Sequence, residues 1–153
     1  LYTKEQASKI RESFWKAFGQ YMALQPSAEG IKTNWINYRT GIRHLNFRMD
    51  ADKKLAYVAI SFSHPDKGIR ALMVEQLKQL QPMLEQYLEG DWYWLDQEAS
   101  AGSPQLSMLR TDLHGFNIYR QEDWVALVRF FKQHITALDA FWCDAKYAFE
   151  LFS

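Results

Sequence analysis

Four histidines, one cysteine and two acid-lysine strings are the side chains of this sequence whose types and spacing could do chemistry. His44, His64, His114 and His134 stand at unrelated spacings, with no pair on one helical turn and no HExxH, so a metal site would have to assemble from distant segments. Isolated imidazoles of this kind read as partly buried hydrogen-bonders. His44 differs, because it sits beside Arg43 and near Arg48 on what reads as the polar face of a strand. Cys143 follows Trp142 in an aromatic-rich stretch, where burial raises a thiol's pKa and quietens it. An acid followed two positions on by a lysine is the minimal string of metal-dependent nucleases, in which the carboxylate holds the metal and the ammonium stabilises charge. Asp52-Lys53-Lys54 and Asp144-Ala145-Lys146 both fit it. The first reads as a turn and the second as helix, whereas that chemistry needs a strand beside another acid. Asp50, Asp52 and Lys54 are the set a divergent nuclease would use; the alternative is a solvated turn, and for the second string an intrahelical pair of Lys146 with Glu150.

The glycines number seven and are scattered singly, with no GxGxxG, no GxxxxGK[ST] and no GxSxG, which excludes the standard phosphate loops and the serine elbow. Nothing in the sequence calls for a cofactor or a metal. What stands out is charge segregation. The stretch from Ile31 to Met49 holds Lys32, Arg39, Arg43 and Arg48 and no acid, interleaved with Trp35, Tyr38, His44 and Phe47. Basic and aromatic side chains together can hold phosphates and stack bases. Conversely, Gln79 to Leu109 holds Glu85, Glu89, Asp91, Asp96 and Glu98 and no base. Three readings compete: the two stretches neutralise each other within the chain, they meet across a homodimer, or the basic one binds nucleic acid or an acidic protein partner.

The elements that would position these residues follow from periodicity. Thr3 with Gln6 is a capping-box signature, and Ala7, Ile10, Phe14, Ala17, Phe18 and Tyr21 continue a helix to about Leu24. Pro26, Ser27 and Gly30 end it. Asn34 to Met49 has strand-like content, and with Val58, Ile60 and Phe62 it predicts an antiparallel hairpin over 42–62, connected at Asp50-Ala51-Asp52-Lys53. Ser63 is expected to cap a second helix with Pro65 in its first turn and Asp66 at the capping-box position. Pro82 falls inside that helix's stripe and should kink or split it. Trp92–Leu95 and Leu106–Leu113 read as strands about a mobile loop, Ala99–Pro104. Glu122 and Asp123 are expected in the first turn of a last helix, where negative charge suits the helix dipole, with Trp124, Leu127, Phe131, Ile135, Leu138, Trp142 and Phe149 in register. The expected fold class is α+β, an antiparallel sheet of about four strands with three long helices in the order αββαββα, forming a single domain over 1–153.

The length of 153 residues suits one domain, and the 48% hydrophobic and 16% aromatic fractions suffice for a core without staples. Lys plus Arg and Asp plus Glu both number 18, so no whole-molecule attraction to nucleic acid or anionic lipid exists and any such partner must find a local patch. One cysteine excludes an internal disulfide and Cys-based zinc boxes, which favours a reducing, cytoplasmic home. No membrane span and no signal peptide is expected. Leu1 is not an initiator methionine, so at least one residue is expected ahead of it.

The strings Tyr2-Thr3-Lys4-Glu5-Gln6-Ala7-Ser8, Asn34-Trp35-Ile36-Asn37-Tyr38-Arg39-Thr40-Gly41, Phe47-Arg48-Met49-Asp50-Ala51-Asp52 and Ala137-Leu138-Asp139-Ala140-Phe141-Trp142 with Ala145-Lys146-Tyr147 resemble a bacterial family of domains of unknown function, end to end. The resemblance implies a bacterial protein that stands alone at about this length or ends a longer chain, some with nuclease-like N-terminal parts. It makes a DNA-transaction or defence role an expectation by association, and it carries over no catalytic residue. The reading that results is a noncatalytic binding or assembly module, a homodimer, using a sheet face around Trp35, Tyr38, Arg39, Arg43, His44 and Arg48. The metal-dependent nuclease is the alternative.

Overall fold

The computed structural model describes residues 2–153; Leu1 lies outside them. The capping box closes as its residues demand: Thr3 Oγ1 accepts the Gln6 N–H at 3.1 Å and Gln6 Oε1 accepts the Thr3 N–H at 2.9 Å. Helix α1 then runs Lys4–Met22 and buries Phe14, Phe18 and Met22 at four-residue steps. The strand-like stretch behaves differently from its reading. Residues 23–44 form no strand, and β1 begins only at Leu45 and ends at Ala51. β2 is Leu55–Phe62. Between them Asp52 Oδ1 accepts the N–H groups of Lys54 and Leu55, both at 2.8 Å, so the connection is a side-chain-capped turn and Asp50 belongs to the strand.

Helix α2 spans Lys67–Gln79, and its cap is Asp66, not Ser63: Asp66 Oδ1 accepts the Ile69 N–H at 2.9 Å. Pro65 biases the residue before it away from helical geometry, which pushes the start past His64, and an aspartate then caps well. Pro82 splits the expected long helix, and α3 (Gln81–Tyr87) starts anew with that proline in its first turn. The proline has no N–H to give the Lys78 carbonyl, which instead accepts the Leu80 N–H at the end of α2. β3 (Tyr93–Gln97) and β4 (Leu106–His114) form the second hairpin, its tip tightened by reciprocal Ser100–Ser103 backbone bonds of 3.0 and 2.9 Å. After a 3₁₀ turn at Gln121–Asp123, α4 runs Trp124–Ala145 and a 3₁₀ segment ends the chain. The order is therefore αββααββα, with four helices.

One antiparallel sheet has the order β1-β2-β4-β3. Alternation puts Leu45, Phe47 and Ala51 of β1 and Ala56, Val58, Ile60 and Phe62 of β2 on the face that α4 covers. α1 packs over α4 through Phe14 and Phe18, each 5.9 Å from the Phe131 ring. The other face carries Arg48, Tyr57, Tyr93 and Arg110. There the Arg110 guanidinium lies 4.5 Å from the Tyr57 ring and 5.8 Å from Tyr93, while its Nε donates to Asp112 at 2.7 Å. Among the described residues no helix is long and apolar enough to cross a membrane.

Candidate functional site: a basic loop anchored on the last helix

The irregular segment between α1 and β1 satisfies its polar groups through side chains in place of a ladder. Trp35 Nε1 donates to the Gln25 carbonyl at 3.0 Å, and Trp142 Nε1 of α4 donates to the Thr40 carbonyl at 2.8 Å. The central anchor is Asp139 of α4, only 3% exposed. Its Oδ2 accepts the Ala28 N–H at 2.6 Å and its Oδ1 accepts the Tyr38 hydroxyl at 2.5 Å. A buried carboxylate needs such donors, and two points of the loop supply them. Burial and the Asp139 charge together push the Tyr38 phenol far above its ordinary range, so its proton stays in place.

These contacts shape a cleft of about 360 Å³ with Tyr38, Asp139 and Trp142 lining it and Lys32, Asn34, Asn37 and Arg39 along the loop side. Lys146, at the end of α4, reaches Glu29 at 2.8 Å, not Glu150 as helical spacing suggests, because the regular helix stops at Ala145. The Lys146 ammonium holds the Glu29 carboxyl below its usual range. Cys143 stands 3.6 Å from Glu29, and burial, then the charge of Asp139, raises its thiol; this is a quiet cysteine, as its sequence context suggests.

The residues singled out by sequence do not share one sheet face. Trp35 is 3% exposed and Phe47 is buried in the core, so neither can stack on a ligand. Tyr38 is half-buried and bonded to Asp139. Arg39 is exposed at the cleft, and Arg43 is exposed in the turn ahead of β1. His44 also precedes β1, with a left-handed φ of 67° and its ring 4.9 Å from His64, so it does not project from a strand. Arg48 alone is on β1, on the face turned away from the helices, as its pairing with Ala59 requires.

Within the chain, the basic and acidic stretches do not neutralise each other. Among the described residues, Lys32, Arg39, Arg43 and Arg48 form no ion pair, nor do Glu85, Glu89, Asp91, Asp96 and Glu98. α4 explains the separation. Asp139, Trp142 and Lys146 face the basic cleft, whereas Gln133 bonds Glu89 and Asp144 accepts the Tyr87 hydroxyl. At about 100° per residue these two sets lie on nearly opposite flanks of the helix.

The nuclease set is otherwise engaged. Asp50 accepts the Arg11 guanidinium and the Ala51 N–H, Asp52 caps its turn, and Lys54 is exposed. Among the described residues no three His, Cys, Asp or Glu side chains come together as metal ligands.

The model of one protein family, Domain of unknown function (DUF4268), matches residues 10–146. The chain belongs to that family. Neither a curated protein nor a solved structure matches it. The family match spans the basic segment, the cleft and the sheet, in line with the resemblance carried by the sequence strings. Asp139, the anchor of the site, stands in one of the strings that carry the resemblance, but sequence alone assigned it no role. Its signal was an acid set between Leu138 and Trp142 inside an otherwise apolar stripe.

Proposed function

We propose that this protein is a noncatalytic binding module that meets the phosphate backbone of nucleic acid through Lys32, Arg39 and Arg43. The observation that carries this reading is that these cations have no carboxylate partner among the described residues, although the chain holds as many acids as bases. Arginine's fork suits phosphate oxygens, and the amides of Asn34 and Asn37 stand beside Arg39 in the same cleft. Trp35 and Phe47 are buried, and the half-buried Tyr38 ring is stacked on Phe47 and tied to Asp139, so the segment offers little surface for base stacking. Recognition is then of backbone and independent of sequence. A neutral protein with a local patch binds weakly and in a salt-dependent way.

The test is fluorescence anisotropy of labelled single- and double-stranded oligonucleotides across a salt series. Neutralising three phosphates gives a log-log slope of about −2.7 on duplex DNA, and Lys32→Ala or Arg39→Ala each removes about 0.9 of it. No binding at low salt, or binding that the triple alanine variant retains, overturns the proposal. The same samples with magnesium or manganese should hold full-length oligonucleotide; shortening that depends on Asp50 and Asp52 would favour the metal-dependent nuclease instead.

A further inference from the structure

The acidic stretch has a groove of its own. It measures about 510 Å³ and runs between α3, the Gly90 bend and the start of β3. Its floor is Leu84 and Leu109, 2% and 4% exposed, and its walls are Leu88, Trp92 and Trp94, all half-buried. Trp92 is fixed by donating its Nε1–H to the Glu89 carbonyl at 2.9 Å. Glu85 and Asp91 stand at the rim, exposed, and neither meets a cation among the described residues. Gly90, at φ 90°, makes the bend that brings Asp91 and Trp92 to the groove.

We propose that this groove binds a segment of a partner protein in which an arginine or lysine is flanked by apolar residues. Indole walls and two rim carboxylates without a cation partner among the described residues, Glu85 accepting the Gln81 amide at 3.2 Å, are what a cationic side chain with an aliphatic stem requires: apolar walls for the stem, a ring face and charge for the head. The chain already uses Trp94 in this way, since the Lys78 ammonium sits 5.1 Å from its ring centre. The leucine floor extends beyond one side chain and takes the neighbouring apolar residue. Like charge at the rim turns nucleic acid away, so this surface is distinct from the basic cleft.

The measurement is two-dimensional NMR of the indole N–H signals, with Trp92→Phe and Trp94→Phe giving the assignments. The probe is a blocked Leu-Arg-Leu-Arg peptide, with Leu-Glu-Leu-Glu as its counterpart. The basic peptide should shift both signals saturably and the acidic one should not. Glu85→Gln with Asp91→Asn should weaken binding about tenfold or more, the scale of losing charge-assisted contacts. Lys32→Ala with Arg39→Ala should leave it unchanged, which separates this site from the nucleic-acid reading. Unmoved signals, equal response to the acidic peptide, or full affinity in the Glu85/Asp91 variant overturns the proposal. So does sedimentation of the protein alone as an oligomer whose formation depends on Glu85 and Asp91, because the occupant is then a second copy of this chain.

Discussion

Replacing Asp139 by alanine should be the most damaging polar truncation in the molecule. The side chain is 3% exposed and accepts two hydrogen bonds, from the Ala28 amide and the Tyr38 hydroxyl, at 2.6 and 2.5 Å. Hydrogen bonds to a charged acceptor contribute about 1.5–3 kcal/mol each, but both orphaned donors border an open cleft and regain some water. A net loss of about 3 kcal/mol follows. For a chain of this size that lowers the melting temperature by about 6–12 °C. Urea unfolding followed by circular dichroism measures it, with the slope m unchanged from wild type, so that the shift in midpoint reports stability alone. Tyr38→Phe removes one of the two bonds, so a double-mutant cycle with Asp139→Ala should give a coupling of about 1–2 kcal/mol. The loop from Ala28 to Tyr38 also carries Lys32, so Asp139→Ala should weaken oligonucleotide binding under conditions where it remains folded. A loss below about 0.5 kcal/mol, the range of an ordinary surface substitution, would refute the anchoring role.

Two further outcomes concern the core and the open sheet face. His134 is 5% exposed between Trp92 and Phe130, its Nδ1 has no partner, and burial lowers its pKa against a small opposing pull from Glu89. With the folded value below the unfolded one of about 6.5, its contribution is complete above that pH and is lost as pH falls through the window beneath it; thermal melts from neutral pH downward should show this decline, and His134→Phe should flatten it. Arg110→Met keeps much of the apolar stem but strips Asp112, 13% exposed, of its cation and two tyrosine rings of theirs, which should cost about 2–3 kcal/mol in urea unfolding; an unchanged midpoint would mean that the pair is neutral there.

The parts of this fold that sequence makes legible are those whose determinants are local. Phe14, Phe18 and Met22 recur at a helical period, the alternation at Leu45, Phe47 and Met49 marks a strand, and Pro82 removes a donor wherever it stands. The segment from Asn34 to His44 reads as strand because its aromatic content suits a sheet, yet its aromatics are held by partners far along the chain. Tyr38 meets Asp139, and Thr40 meets Trp142. Such long-range side-chain anchoring leaves no periodic trace. The charge segregation was plain in the sequence, whereas the placement of its two halves on opposite flanks of α4 depends on the packing of that helix, which no local pattern states. Asp66 displaced Ser63 as a cap for a reason that was legible in principle, since the proline between them restricts the backbone before it.

The sheet order β1-β2-β4-β3 bears on how the chain reaches its native state. Each hairpin closes over a short connection, but the β2–β4 seam pairs Leu55 with His114 and Phe62 with Ser107, across everything contributed by α2, α3 and β3. Closing so long a loop costs entropy before the seam's contacts repay it. The two hairpins are therefore expected to form early and the seam late. Substitutions at Val58 or Thr111, which face each other across it, should then change the unfolding rate more than those confined to either turn.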